Sequence, residues 1–388
     1  MTDCNSIFES LSHAASAPLG EAKSLPFLSY LDTSVYRLEK ENIFHSDWVF
    51  VCAENELPNS GDYFSFFLVD EPVLLLRGKD GQLRAMSNVC RHRGTLLLDV
   101  GIAKVTKIVC PYHAWTYDHS GELLGAPYTH KNEISKQDHC LPHFHLEIWN
   151  GLVFVNLSNN PAPLSTKLSG INKYLDTFDF KRFTSTYSSE TELWNANWKL
   201  AMENAMESYH LFKVHHETLE KVTPTKQAFY LEGAADWSIT AGKMKGVSNK
   251  LLNWAMGADN KIYEHYLLIS IPPNFVGILT YESFDWISML PNNESQCTVR
   301  AAGLNEYGSE GDSDEKAFVN AFFSEDKQIC ERVQAGMTAQ YTKGGKLVEL
   351  ERIVIDFHHY LAKRLFSLKT PERHISSFSD QFIQAKND

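Results

Sequence analysis

Cys90-Arg-His92 and Cys110-Pro-Tyr-His113 place two thiols and two imidazoles within one short stretch of the chain. Iron–sulfur clusters and zinc both use donors of these types. A tetrahedral zinc site prefers like ligands in pairs, C-x2-4-C followed by H-x3-5-H. Here each couple mixes one cysteine with one histidine, C-x-H and then C-x2-H. That layout fits a [2Fe–2S] cluster between two loops, with cysteines on one iron and histidines on the other. Neutral imidazoles raise the potential far above that of an all-cysteine cluster, so such a centre accepts electrons and passes them on. A structural Cys2His2 zinc site is the competing use of the same residues.

A second constellation lies in NWKLAMENAMESYHLFKVH, from Asn197 to His215. Glu203, Glu207 and His210 stand at i, i+4 and i+7, one face of a helix. His215 follows His210 by five positions, about 140° round a straight helix. Both imidazoles reach one metal only if the helix ends or widens into a π-turn, and the irregularity is predicted between Leu211 and Val214. Two histidines and a carboxylate make the facial set that leaves ferrous iron open positions for oxygen. In EKAFVNAFFSEDKQICERVQ the apolar side chains centre about 70° round from Phe318 at helical period. Asp326 falls near about 80°, inside that face, and Glu325 near about −20°, at its edge. A carboxylate aimed into an apolar face is costly unless a metal or a charge meets it. Asp326 is therefore the expected third ligand, ahead of Glu325, Asp312 and Asp314. Taken alone, such a histidine pair is more often packed or surface residues than a metal site, and the chain holds 16 histidines. The cluster motif upstream changes that, because its electrons need a destination.

Two scaffolds must position these groups. From Trp48 to Leu157 the chain is β-rich: FSFFLV, PVLLLRG and LRAMSNV read as strands, with Lys79-Asp80-Gly81 as a hairpin turn. Both Cys-His couples follow strand-like runs, which puts them on adjacent loop tips of a small β-domain. IWNGLVFVNL closes that domain, and Ser158–Pro163 reads as a linker. Beyond it, HYLLISI, VGILTYES, DWISMLP and CTVRAAGL alternate with helical stretches at Asn197–Leu211, Glu315–Gln334 and Gly345–Leu365. The expected fold class is α+β, a small all-β cluster domain plus a larger catalytic domain with an antiparallel sheet flanked by helices. The expected divisions are 1–45, an N-terminal segment packing with the catalytic domain, 46–160 and 161–388. Residues 1–25 are expected to be partly disordered, and a short helix capped by Asp32 or Thr33 follows.

The 388 residues suffice for two cores. Apolar residues make up 43% and the net charge is −12, which leaves no electrostatic footprint for nucleic acid or anionic membrane. Seven cysteines without framework spacing point to a reducing compartment. The first residues show no secretory pattern and no run approaches a membrane span, so a cytoplasmic enzyme is expected. No dinucleotide or phosphate-loop motif is present, which implies a separate reductase.

Taken together, CRH/CPYH and NWK…EN…E-x-Y-H-x4-H resemble the large (oxygenase) subunit of the Rieske non-haem iron oxygenases, the ring-hydroxylating family. The resemblance runs from about Leu25 to Leu365. It implies that Cys90, His92, Cys110 and His113 hold a Rieske [2Fe–2S] cluster and that His210, His215 and Asp326 hold a mononuclear Fe(II). It also implies that Glu207 links His210 to His113 of the neighbouring subunit within a homotrimer. The implied partners are an NAD(P)H-dependent reductase, with or without a ferredoxin, a small organic substrate and O2. Many relatives have aspartate where Glu207 stands. Glutamate there, and the spacing from His215 to Asp326, resemble the branch acting on carnitine and glycine betaine, although YHLFKVHHETL lacks the cysteine-rich text of betaine-type enzymes. Trp194, Trp254, Tyr266, Tyr281, Phe284 and Trp286 are candidates for an aromatic cage around a cation, or for plain sheet core. An aromatic-ring dioxygenase, and more remotely a Rieske electron carrier without oxygenase activity, are the other readings.

Overall fold

The computed structural model of the protein describes residues 4–130, 133–245, 264–306, 313–371 and 373–379. The chain forms two units, one from Phe44–Pro161 and one from Met1–Ile43 with Ala162–Asp388.

The first unit is all β. Its strands are β1 (Val49–Ala53), β2 (Asp62–Leu68), β3 (Glu71–Arg77), β4 (Leu83–Ser87), β5 (Gly101–Lys104), β6 (Ile108–Val109), β7 (Thr116–Tyr117), β8 (Leu123–Gly125), β9 (His143–Trp149) and β10 (Leu152–Asn156). They build a seven-stranded sheet ordered β1-β10-β9-β4-β3-β2-β5 and a three-stranded sheet β6-β7-β8. The predicted turn at Lys79–Gly81 joins β3 to β4; Gly81 takes φ 78° and Asp80 accepts from the Gln82 amide at 3.1 Å. Asn150 and Gly151 take φ 49° and 76° between β9 and β10, the residues a two-residue hairpin turn favours. Tyr63, Leu74, Leu76, Met86, Leu123 and Leu141 form a core on which the cysteine-bearing loops sit.

In the second unit, α1 (Cys4–Ala15) and α2 (Thr33–Glu39) precede an eight-stranded antiparallel sheet. The sheet comprises β11 (Ser185–Trp194), β12 (Ala228–Ala234), β13 (Trp237–Lys243), β14 (His265–Ile271), β15 (Phe275–Leu279), β16 (Ser283–Asn293), β17 (Gln296–Asn305) and β18 (His374–Ile375). Its order is β11-β17-β16-β15-β14-β13-β12-β18. Helices α3 (Trp198–Met206), α4 (Leu211–Val214), α5 (Ser313–Gly336) and α6 (Arg352–Phe366) are the ones that concern the site and its support. The α+β architecture matches the expectation. Asp32 is the cap of α2, its carboxylate accepting from the Ser34 amide at 2.7 Å.

Three expectations are corrected. The segment expected to be partly disordered contains α1, which packs on α6 and has Leu11 and Ala15 buried. Residues 345–348 are not helical, and the last long helix starts at Arg352 after a 3-10 turn at Glu349–Glu351. Most consequentially, Asn197–Leu211 is not one helix. It stops at Met206, Glu207 is extended at φ −120°, ψ 163°, and a single new turn starts after His210. The irregularity therefore lies before His210 rather than between Leu211 and Val214.

Candidate cluster site and mononuclear metal site

The two Cys-His loops share one backbone design. The Cys90 amide donates to Thr95 O at 2.8 Å and Gly94 N to Cys90 O at 3.1 Å; Cys110 N donates to Trp115 O at 2.8 Å and Ala114 N to Cys110 O at 3.0 Å. Each loop turns through a left-handed residue four positions after its cysteine, Gly94 at φ 76° and Ala114 at φ 54°. Cys90 and Cys110 are buried, whereas His92 and His113 are exposed. Their imidazole centroids lie 4.8 Å apart. His92 stacks on the buried Trp115 ring at 4.8 Å, 7° from parallel. The donor set is thus split, sulfurs inward and imidazoles at the surface, a two-cysteine, two-histidine set that would hold a [2Fe–2S] cluster. Tyr117 is buried with its hydroxyl 3.5 Å from Cys90 Sγ and accepting from the Arg91 amide at 3.1 Å. Burial pushes the Cys90 thiol up. Burial also opposes Cys110 ionisation, but amide hydrogen bonds from His113 and Tyr112 outweigh it and pull that thiol down.

In the other unit one group of metal-type donors converges among the described residues. Single ligand atoms from His210, His215 and Asp326 all lie within 4.8 Å of one another. Asn197 caps α3 by accepting from the Lys199 amide at 2.9 Å. Helix α5 is tied alongside by Gln334, which accepts from Asn197 N at 2.7 Å, and by Glu331, which accepts from Asn195 N at 3.0 Å. The Glu207 carboxylate accepts from the Tyr209 and His210 amides and so holds the break after α3. His215 closes the turn of α4, its amide donating to Leu211 O at 3.1 Å. The two rings end 5.0 Å apart. Asp326 Oδ1 lies 2.9 Å from His215 Nε2 and 3.5 Å from His210 Nε2, and accepts from Asn204 Nδ2 at 2.7 Å.

The outer nitrogens are also engaged: His210 Nδ1 lies 2.6 Å from Glu207 Oε1, and His215 Nδ1 lies 2.8 Å from Glu325 Oε2. With each Nδ1–H donated to a carboxylate, each Nε2 lone pair is left for the centre, which is how metal-bound imidazoles are oriented. Burial works against a charged His210, yet the hydrogen bonds it donates to the Asp326 and Glu207 carboxylates push it up to about 10. Burial alone would raise Asp326, but the hydrogen bonds from His210 and His215 hold it down to about 2. Two imidazole nitrogens and a carboxylate oxygen that converge on one point are the donor set a divalent cation takes, so the residues suit the group.

Glu325, set behind Asp326 as a ligand, faces the same imidazole from its other nitrogen, and adjacency to Asp326 is the only mark of this in the sequence. Asn204, Thr218 and Tyr117 carried no such signal. Of the aromatic candidates, Trp194, Tyr266, Phe284 and Trp286 are buried in the sheet. Tyr281 lies under the Arg182 guanidinium at 4.0 Å and Trp286 under that of Arg300 at 5.4 Å. Trp254 and Asp312 lie outside the described residues, as does the side chain of Asp314.

A buried pair of cysteines with two outward imidazoles, and a separate two-histidine, one-carboxylate face on an antiparallel α+β frame, define a Rieske-type oxygenase large subunit. Residues 47–145 match the Rieske [2Fe–2S] domain family and residues 175–367 the catalytic domain of the ring-hydroxylating alpha subunits. The chain belongs to this family, whose two domains carry a [2Fe–2S] cluster and a mononuclear iron. It is 33% identical over 198 residues to the glycine betaine monooxygenase oxygenase subunit of Pseudomonas aeruginosa, a match covering 51% of this chain and 46% of that protein. The match thus spans about half the length of that relative. Against the carnitine monooxygenase oxygenase subunit of Escherichia coli K12 identity is 28% over 367 residues, 88% of this chain and 94% of that one. A crystal structure of the quaternary ammonium Rieske monooxygenase CntA shares the fold, with TM-score 0.78 at 24% identity over 92% of this chain and 98% of that one. No helix among the described residues is long and apolar enough to cross a membrane.

Proposed function

We propose that the chain is the oxygenase component of a multicomponent Rieske monooxygenase that hydroxylates or demethylates a small quaternary ammonium compound, with a separate reductase supplying electrons. The carrying observation is the convergence of His210, His215 and Asp326 within 4.8 Å. In this reading they hold Fe(II), and Cys90, His92, Cys110 and His113 hold the cluster. Iron on such a face supplies oxygen activation and the cluster supplies electrons singly. Asn204 and the two carboxylates behind the imidazoles keep the three donors aimed at one point. In this reading Glu207, which accepts from His210 Nδ1, links it to His113 of the partner subunit in a homotrimer. The substrate class rests on the likeness to carnitine and glycine betaine enzymes and on glutamate at position 207.

The test is metal content together with turnover. The reading expects about three irons per chain, against about two for a pure electron carrier. It also expects oxygen consumption coupled to carnitine or glycine betaine rather than to benzoate-like acids. Two irons per chain, or a preference for aromatic acids, overturns it.

A further inference from the structure

Two consecutive carboxylates of α5 grip opposite nitrogens of one imidazole: Asp326 Oδ1 at 2.9 Å from His215 Nε2, and Glu325 Oε2 at 2.8 Å from His215 Nδ1. Neighbours on a helix diverge by about 100°, so this requires the ring to lie across the helix with one nitrogen over each side chain. The same Glu325 oxygen accepts from Thr218 Oγ1 at 2.7 Å, which fixes the carboxylate in turn. The His215 side chain is 0% exposed and the Glu325 side chain 31% exposed, so this carboxylate stands between Nδ1 and solvent. Phe322, one turn before Asp326, meets the ring edge-on at 6.3 Å. The other imidazole is held differently: its partner Glu207 lies in the break between α3 and α4, part of a local turn rather than of a long helix.

From this geometry we propose that Glu325 is the positioning residue of His215, setting its tautomer and ring plane and strengthening Nε2 as a donor. The assignment rests on the metal site proposed above. A carboxylate behind a ligating imidazole raises its basicity, and removing such a partner weakens metal binding about 10–100-fold. The simpler alternative is that Glu325 only ties α5 to the segment after α4 through Thr218.

The experiment titrates Co(II) into the full chain, its cluster retained and its mononuclear site emptied by chelation, with cobalt d–d absorption as the readout. Glu325→Ala is expected to weaken cobalt binding about 10–100-fold. Glu325→Gln keeps an acceptor for Nδ1–H without the charge and, being isosteric, is expected to fold; about a 10-fold loss is expected there. Thr218→Val, which cuts only the tie, is expected to lose less than about threefold. The assignment is overturned if both Glu325 variants bind cobalt like the parent, or if Thr218→Val loses as much as Glu325→Ala. His210→Ala and Asp326→Ala separate the two claims. If these also bind like the parent, the site itself is wrong; if they alone lose cobalt, only the role of Glu325 fails.

Discussion

Replacing Lys199 by methionine strips the cation from a fully buried ion pair. The Lys199 and Glu39 side chains are both 0% exposed, with Nζ on Glu39 Oε1. Nζ also lies 5.2 Å from the Tyr30 ring centroid and 5.5 Å from that of Trp198. After Lys199→Met, Glu39 keeps one donor, Trp198 Nε1–H at 2.8 Å. That bond satisfies one oxygen and leaves a buried charge without a counterion, a loss of about 3–5 kcal/mol. Methionine fills most of the lysine stem's volume, so a cavity adds little. Adding Glu39→Gln removes the charge and keeps an acceptor for Trp198, and the double variant is expected within about 2 kcal/mol of the parent. The assay is urea unfolding at neutral pH followed by tryptophan fluorescence, comparing midpoints at a common slope. A single variant within about 1 kcal/mol of the parent, or a double variant no better than the single, would refute a charged pair anchoring the start of α3.

Three further outcomes are expected. Tyr117→Phe removes the hydroxyl from Cys90 Sγ and should lower the cluster potential on the order of 50 mV, which is about 1 kcal/mol for one electron; voltammetry showing no change would mean that the hydroxyl does not donate to the sulfur. Gly94→Ala should cost about 1–2 kcal/mol and Ala114→Gly should be neutral or stabilise by up to about 1 kcal/mol, because both positions are left-handed; thermal melts followed at the cluster absorption check the opposite signs. Asp118 is held below the usual carboxylate range: burial would raise it, but hydrogen bonds from the Ser120 hydroxyl and from the Glu122 and Ser120 amides prevail. The unfolded chain therefore takes up that proton first, so this stabilisation is present above about pH 4 and disappears as pH falls through the lower native value. Asp118→Asn should flatten the acid limb of cluster-unit stability, and an unchanged limb would count against the bond network.

Much of the site was legible because its chemistry is written in residue type. Mixed Cys-His couples have few uses, and Asp326 inside an apolar stripe signalled a partner for its charge. Strands β14 to β17 were legible as bounded apolar or alternating runs. Strand β11 was not, since STYSSETELW carries too many polar residues to show a clean period. The break at Glu207 was hidden for a different reason. NWKLAMENAMESYH has a helical period throughout, and the helix stops because one carboxylate satisfies the Tyr209 and His210 amides and the His210 ring together. That gain exists only once the ring is held in place. Helix α1 was missed because small polar residues read as loose until the helix packs on α6 and buries Leu11 and Ala15.

In the proposed assignment the sulfur-site donors fall between positions 90 and 113, while those of the lone iron stand at 210, 215 and 326 with strands β12 to β17 between 215 and 326. Closing a short loop comes early and cheaply in entropy, whereas joining distant segments waits for the sheet. During synthesis, therefore, the iron–sulfur pocket can mature on a nascent chain, but ferrous ion can be captured only after α5 has emerged. A polypeptide arrested before position 326 would be coloured and reducible yet inert toward oxygen.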